Sequence, residues 1–584
     1  MKHLYLLGGM GRALGLAVAG LLLAAPAARA QAPAWQSATA VTAGPGSRSE
    51  INASATDASG NVFVVGDFNG TVQLGATTLS SAGGDNAFVA KWSAATGSFV
   101  WAQRLGGTAN DYGNAIAVSG ANVYVGGLFR SPSIQAGTTT LVNAGALGSN
   151  SSDAFVVKLT DAGSSAAFGW ATRVGGSGSE AIYGLAAVGN SVYVAGSFSS
   201  PTVQVGSAVL ATAGSADALV YKLTDAGATA SVAWAQRAGG ASFDTADGIA
   251  VSGTNVYVGG DFELTATFGA ISLVSTGGGQ GEPDVYVAKL TDAGTTASFG
   301  WAVRGGGSSA FLYGLAASGS SIYAVGAFSG ATATFGSTVL TNAGGTAGNE
   351  AFITKLTDAG ATGAFVWAQR AGGSDYDEAS DVAVRGNSVY VTGHFSSASA
   401  TFGGTTVSNR ASTGEYDVFV ARLIDAGATG TFAWANTAGS PTSDYCRAVA
   451  LGGTTVYVTG SARTPAVFGP LTLGSAAAPN TNAVAYLATL ADATGLATAA
   501  AAGLGRFGLF PNPAHGRVAV QVPAGPGGTT ATLTVLDALG RPVRVQTAAL
   551  NARAEVDLTG LPAGLYAVRV QAGGRLATQR LVVE

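Results

Sequence analysis

The stretch from Ile249 to Trp301 reads IAVSGTNVYVGGDF, then a Gly/Ser/Thr-rich excursion through TFGAISLVSTGG, then DVYVAKLTDAG, then SFGW. Nearly the same string recurs along most of the 584 residues, so the chain is one unit made many times. Tryptophan measures the period. Trp35, Trp101, Trp170, Trp234, Trp301, Trp367 and Trp434 follow one another at spacings of 66, 69, 64, 67, 66 and 67 residues. The V-[YF]-V-x-G segment (Val62-Phe63 to Val456-Tyr457) and the [DNE]-A-F-V-x-K-L segment (Asn86 to Asn482) also occur seven times each.

Within the unit, apolar alternation predicts four strands: Ile249–Val251, Asn255–Phe262, Val285–Leu290 and Phe299–Arg304. Ser252-Gly253-Thr254 and Thr291-Asp292-Ala293-Gly294 are turns by chemistry. Seven units of four antiparallel strands predict a β-propeller. The markers do not begin in phase: Trp35 precedes any other element, and the seventh unit runs into ADATGLATAA without a tryptophan strand of its own. Residues 34–41 are therefore expected to complete the last blade and close the ring.

Charges point the same way. An acid opening the third strand, a Lys and an Arg three residues after Trp are expected to meet, as in Asp153, Lys158 and Arg173 or Asp284, Lys289 and Arg304. In the last unit these positions are Asn482, Leu487 and, on the borrowed strand, Ala38, so the charges vanish together. All five lysines beyond the leader (Lys91, Lys158, Lys222, Lys289, Lys355) occupy this place, which reads as cross-strand pairing rather than chemistry.

Residues 1–30 have a basic start, an apolar stretch from Ala13 to Ala25 and Ala28-Arg29-Ala30, the pattern of a secretory signal peptide. No later segment approaches the roughly 20 apolar residues of a membrane span. Charged residues are 10% of the chain, net charge is −4 and no basic patch appears, which argues against nucleic acid and anionic membranes. The single Cys446 can form no internal disulfide.

The repeat, over about residues 34–490, resembles the β-propeller repeats of exported bacterial proteins, a resemblance that implies no particular ligand. Its Phe268-Gly269, Phe335-Gly336, Phe402-Gly403 and Phe468-Gly469 segments are similar to those of the integrin-type propeller, but that family's aspartate-rich calcium loop is missing. Residues 491–506 are small and of low complexity, a linker. From 507 to 584 the period stops and new alternations predict a small Ig-like β-sandwich. FGLFPNPAHG, LTVLDALGRPV, VDLTGLPAGLYAVRV and the terminal QRLVVE resemble the type A C-terminal sorting domain of the type IX secretion system. The resemblance implies contact with that export machinery through a motif here made of Phe510, Pro511, Asn512, Pro513, Gly540, Gly564 and Tyr566. It also implies tail removal during export and a secreted or surface-attached product.

No catalytic set assembles: His394 is alone in the repeat region and its slot varies between units. The acidic run Asp375, Asp377, Glu378 and Asp381 has oxygen ligands that could gather for calcium, although a solvated loop is the default reading; no other cofactor is expected. Asp111, Glu180, Asp244, Asp247 and Asp444 lie in corresponding loops and predict an acidic face. Ligand contacts are expected there, around Asp244, Asp375, Asp377 and Asp444, among long second-to-third-strand connections able to form projecting hairpins. Two classes stay open: an exported non-catalytic binding or adhesion scaffold for glycan or protein, and a polysaccharide-active enzyme with carboxylates converging at a channel mouth.

Overall fold

The computed structural model describes residues 31–145, 151–277, 279, 281–411, 414–474, 482–492, 507–522, 529–537, 541–572 and 575–584. The expected signal peptide and most of the expected linker lie outside them. Among the described residues the chain is all-β, without helix, and its strands pair antiparallel. No helix there is long and apolar enough to cross a membrane.

One unit shows the plan. Glu180–Val188, Ser191–Phe198, Asp217–Asp225 and Ala230–Gly240 hydrogen-bond in that order. The second and third strands are covered on both faces, which is why VYVAG and ALVYKL read as apolar runs rather than alternations. Sheets of the same order begin at Arg48–Thr56, Asp111–Ser119, Gly248–Ser252 and Asp377–Arg385. Second strand Asn255–Phe262 falls where the alternation predicts it. The fourth strand does not stop at Arg304: Ala297–Ser318 is continuous and goes on to be the first strand of the next unit. Gly305, Gly306 and Gly307 pair there with Phe335, Thr334 and Ala333, Gly306 at a φ of +140°.

The last sheet is completed from the start of the chain. Trp35–Ala40 pairs with Val484–Ala491, beside Thr455–Ala462 and Tyr445–Gly452. The segment then continues as a fourth strand does elsewhere. Thr42 and Ala43 pair with the hairpin strand Thr71–Leu74, as Ala238–Gly240 pairs with Ala266–Phe268 and Ala371–Gly372 with Thr401–Phe402. These hairpins thus lie against the fourth strand of the preceding unit, whose edge supplies their backbone partners, instead of projecting; the hairpins of residues 133–142 and 202–211 form two-stranded sheets of their own.

The lysines also reach across units, which corrects the expected trio. Arg237 meets Asp217 at 2.6 Å and Arg304 meets Asp284 at 2.7 Å, within one unit as predicted. The lysines turn instead to the Thr-Asp-Ala-Gly turn of the next unit: Lys91 to Asp161, Lys158 to Asp225, Lys222 to Asp292 and Lys355 to Asp425, all at 2.6 Å, and Lys289 to Asp358 at 2.7 Å. Each turn carboxylate collects more. Asp225 also accepts the Tyr124 hydroxyl at 2.7 Å and the Trp170 indole N–H at 2.9 Å. The marker tryptophan recurs because its N–H belongs to this latch.

The tail forms a three-stranded sheet (Leu509–Phe510, Arg517–Gln521, Arg553–Asp557) and a four-stranded one (Pro542–Ala549, Thr530–Leu536, Gly564–Ala572, Arg575–Val583). Val518, Val520, Leu533, Val535, Val568 and Leu581 share its core.

Candidate functional site

The site begins with a glycine. In V-[YF]-V-x-G the final Gly faces a carbonyl of the first strand so closely that a side chain is excluded: a Cβ would stand 1.9 Å from Glu50 O at Gly66, 2.0 Å from Ala181 O at Gly196 and 1.9 Å from Glu378 O at Gly393. Opposite that glycine the first strand bulges, with register shifts at Ile51/Ala53, Ile182/Gly184, Leu312/Gly314, Ala379/Asp381 and Cys446/Ala448. A bulge re-aims the extra residue. Those residues, one per unit, line a single cavity of about 530 Å³: Asn52, Asn114 and Tyr183 from the first three units, then Asp247, Tyr313, Ser380 and Arg447. The volume is that of a small-molecule site, about 300–1,000 Å³.

The wall mixes chemistry. Tyr183 and Tyr313 are 36% and 40% exposed, large rings left open in a chain that buries its other marker aromatics. Asn52 spends its amide hydrogens on Asp67 Oδ1 (2.9 Å) and Gly113 O (3.0 Å), and Asn114 donates to Ile182 O (3.0 Å). Arg447 Nε bonds Glu50 Oε1 at 2.6 Å, and its guanidinium lies over the Tyr445 ring. Asp381 accepts Val449 N–H of the next unit at 2.9 Å. Burial pushes Asp247 and Asp381 up to about 7. His394 sits behind this wall with its ring 5.0 Å from those of Tyr416 and Tyr445 and Nε2 3.5 Å from Glu378. Burial, reinforced by Arg447, drops it to about 3, so it is neutral at physiological pH.

Of the acids singled out in the sequence, Asp247, Glu378 and Asp381 line the cavity, while Asp244, Asp375, Asp377 and Asp444 do not. Asp244, Asp377 and Asp444 are at most 1% exposed. Asp244 accepts Gly240 N–H at 2.6 Å and Glu263 N–H at 3.2 Å; Asp377 accepts Gly373 N–H at 2.6 Å and Ser397 Oγ–H at 2.8 Å; Asp444 accepts Ser440 N–H and Arg463 N–H. Burial raises Asp244 and Asp377 to about 7 and Asp444 to about 6 against these bonds. Asp111 does the same work with Gly107 N–H at 2.7 Å. The Gly-Gly pairs belong to the same device: Gly240 donates, while Gly239, at φ +146°, leaves room where a Cβ would come 2.2 Å from Asp217 Oδ1. Only Asp375 of the four is half-exposed; its N–H is held by Ser397 Oγ at 2.8 Å. The calcium grouping does not form, since Asp377 faces its loop, Glu378 faces His394 and Asp381 faces Val449. Among the described residues no three His, Cys, Asp or Glu side chains are gathered for a metal ion.

These carboxyls set the pH response. Those raised to about 6 or 7 hold protons more firmly folded than at the unfolded value of about 3.9. Their contribution is complete below about pH 4 and is lost as pH rises through about 6 to 7. Asp225 runs the other way: burial works against it, but Lys158, Trp170 and Tyr124 hold it at about 2, so its contribution is lost as pH falls from about 4 toward 2. Thermal stability is therefore expected to peak at about pH 4–5 and decline toward about pH 8. Calorimetry across that range checks this; a melting temperature that climbs over the same interval contradicts it.

In the tail, Asn512 acts as a piece of strand: its Nδ2 donates to Arg580 O at 2.8 Å and its Oδ1 accepts Val582 N–H at 2.9 Å. Ala514 and Glu584 complete the seam by backbone bonds. Pro511 and Pro513 flank that asparagine, both following cis peptide bonds. Phe510 is 40% exposed under the Arg553 guanidinium, and Tyr566, two residues past Gly564, donates its hydroxyl to Pro562 O at 2.9 Å. Gly540 lies outside the described residues. Residues 508–584 match the family described as "Secretion system C-terminal sorting domain". The chain ends in a type IX sorting domain. A sorting domain implies dealings with the type IX machinery and export to the surface or medium. No curated protein matches the chain. A crystal structure of a protein from Lactobacillus plantarum aligns over 68% of this chain and 90% of its own, at 13% identity and a TM-score of 0.36, a likeness too slight to carry an argument.

Proposed function

We propose that residues 31–490 form a seven-bladed β-propeller closed by the N-terminal strand, freed of a signal peptide at 1–30 and joined by 491–506 to the sorting domain at 507–584. Its work is that of an exported, non-catalytic binding scaffold. The observation that supports this most is the contrast within the repeat. Glycine, tryptophan, lysine and turn aspartate repeat to hold units together, while the seven bulge residues facing the cavity are of five kinds, Asn, Tyr, Asp, Ser and Arg. A scaffold kept constant around a varied lining is what recognition requires. The long-loop face surrounds this cavity in our reading, with Asp375 as its accessible acid and Asp244, Asp377 and Asp444 fixing its loops; calcium is not needed for it. A second reading, a polysaccharide-active enzyme, rests on Asp247 and Asp381, two lining carboxyls poised near neutrality.

The exported protein screened against oligosaccharides and peptides, with product analysis for hydrolysis, tests both: binding without turnover supports the scaffold, and turnover lost in Asp247→Asn or Asp381→Asn supports the enzyme. Passage across the outer membrane is expected to depend on the tail rather than on the propeller. A chain ending at Gly503 should accumulate in the periplasm, and normal amounts at the surface would contradict the assignment of that segment.

A further inference from the structure

We infer that the cavity takes a neutral oligosaccharide, gripped between Tyr183 and Tyr313 and hydrogen-bonded by Asn52, Asn114, Asp247 and Arg447. This deepens the binding-scaffold reading and rests on it.

The two tyrosines stand at the same repeat position two units apart, with Asp247 at that position in the unit between them. Both rings are open while Tyr124, Tyr257 and Tyr390 in the sheets are fully covered. A pyranose presents an apolar C–H face to an aromatic ring and a rim of hydroxyls that donate and accept at once; tyrosine supplies the flat apolar surface with a polar edge. The remaining wall matches the rim. Asp247 accepts, Asn114 has one N–H and its carbonyl left over, Asn52 has its carbonyl, and the terminal amino groups of Arg447 make no hydrogen bond among the described residues.

Charged ligands fit less well. An anion would meet Asp247, Asp381 and Glu378, and a cation would meet Arg447 in the same space. A polar ligand without net charge satisfies both signs of wall, and pockets of this size and mixed lining fix orientation through such convergent polar groups.

The exported protein should be titrated calorimetrically with cellohexaose, xylohexaose, mannohexaose, laminarihexaose and chitohexaose, with oligogalacturonate and spermidine as charged probes. At least one neutral hexasaccharide should bind. Tyr183→Ala and Tyr313→Ala should each weaken it about tenfold or more, the equivalent of about 1.4 kcal/mol per ring. Tyr183→Phe and Tyr313→Phe, which keep the ring, should stay within about threefold. Tyr376→Ala, an exposed aromatic outside the cavity lining, should change nothing. Circular dichroism of each variant separates lost binding from lost fold. Failure of all five neutral sugars at millimolar concentration overturns the inference, as does binding sensitive to Tyr376→Ala but indifferent to the two cavity tyrosines. Binding of spermidine or oligogalacturonate alone overturns the ligand class and leaves the scaffold standing. Hydrolysis of a bound sugar overturns the non-catalytic reading and leaves the ligand class standing.

Discussion

A protein lacking residues 31–41 is expected to melt at least roughly 10 °C below the intact one and with lower cooperativity. The segment is short, but what it fills is not. Trp35 is 3% exposed, sets its ring edge-on to Phe468 at 5.1 Å and donates its indole N–H to Thr437 O; Val41 is 2% exposed. Losing one buried tryptophan costs about 3–5 kcal/mol. The deletion also strips Val484–Ala491 of its partner strand and leaves Thr42–Ala43, the partner of Thr71–Leu74, as an unanchored chain start, so the last sheet has an open edge. Scanning calorimetry of the truncation beside Gln36→Ala, an exposed position on the same strand, measures it. Equal melting temperatures for truncation and intact protein would contradict the proposed closure.

Asp225→Ala is expected to destabilise by about 3–5 kcal/mol, because it leaves the Lys158 ammonium buried without its partner. It also deprives the Tyr124 hydroxyl and the Trp170 N–H of their acceptor. Adding Lys158→Leu should restore the part that belongs to the stranded charge and leave the rest. Denaturant titration of the two single variants and the double variant gives the coupling. Additive losses would show that lysine and aspartate do not stabilise one another. The chain already contains the uncharged version. At the junction between the last unit and the first, the strand register puts Thr489 rather than the expected Leu487 at the lysine position, since Tyr457 pairs with Thr489 as Tyr124 pairs with Lys158, and Ala94 stands at the turn-aspartate position, so both charges are missing together. Leu487 and Tyr457 pack there in one core with Val62 and Val64, and Tyr457 donates to Gly60 O at 3.0 Å.

That paired loss explains what could be read in advance. The tryptophan period, the strand order and the role of Trp35 were legible because each depends on residues that recur. The lysine's partner was not, because its aspartate lies about 70 residues on in the next unit, while spacing within one unit makes the third-strand acid look nearer. Asp244, Asp377 and Asp444 suggest an acidic binding face because acids usually lie at a surface; here the loops turn backbone N–H groups inward, and a buried carboxylate is the acceptor that satisfies them. The cavity residues escaped for the opposite reason. Asn52, Asn114, Tyr183, Tyr313, Ser380 and Arg447 share no one residue type, so a search for what repeats passes over them, and Asp247 stands out only as a loop acid. The signal was nonetheless present as the glycine of V-[YF]-V-x-G, which marks the bulge, and the site is the position opposite it.

The uncharged junction has a consequence for handling the protein. Trp35–Ala40 is held to Val484–Ala491 by strand pairing and apolar packing, with no buried ion that must be separated to release it. A second molecule carries an identical strand and can seat it in the same groove. Concentrated or partly unfolded material therefore has a built-in route to strand-exchanged dimers, in which each copy completes the other.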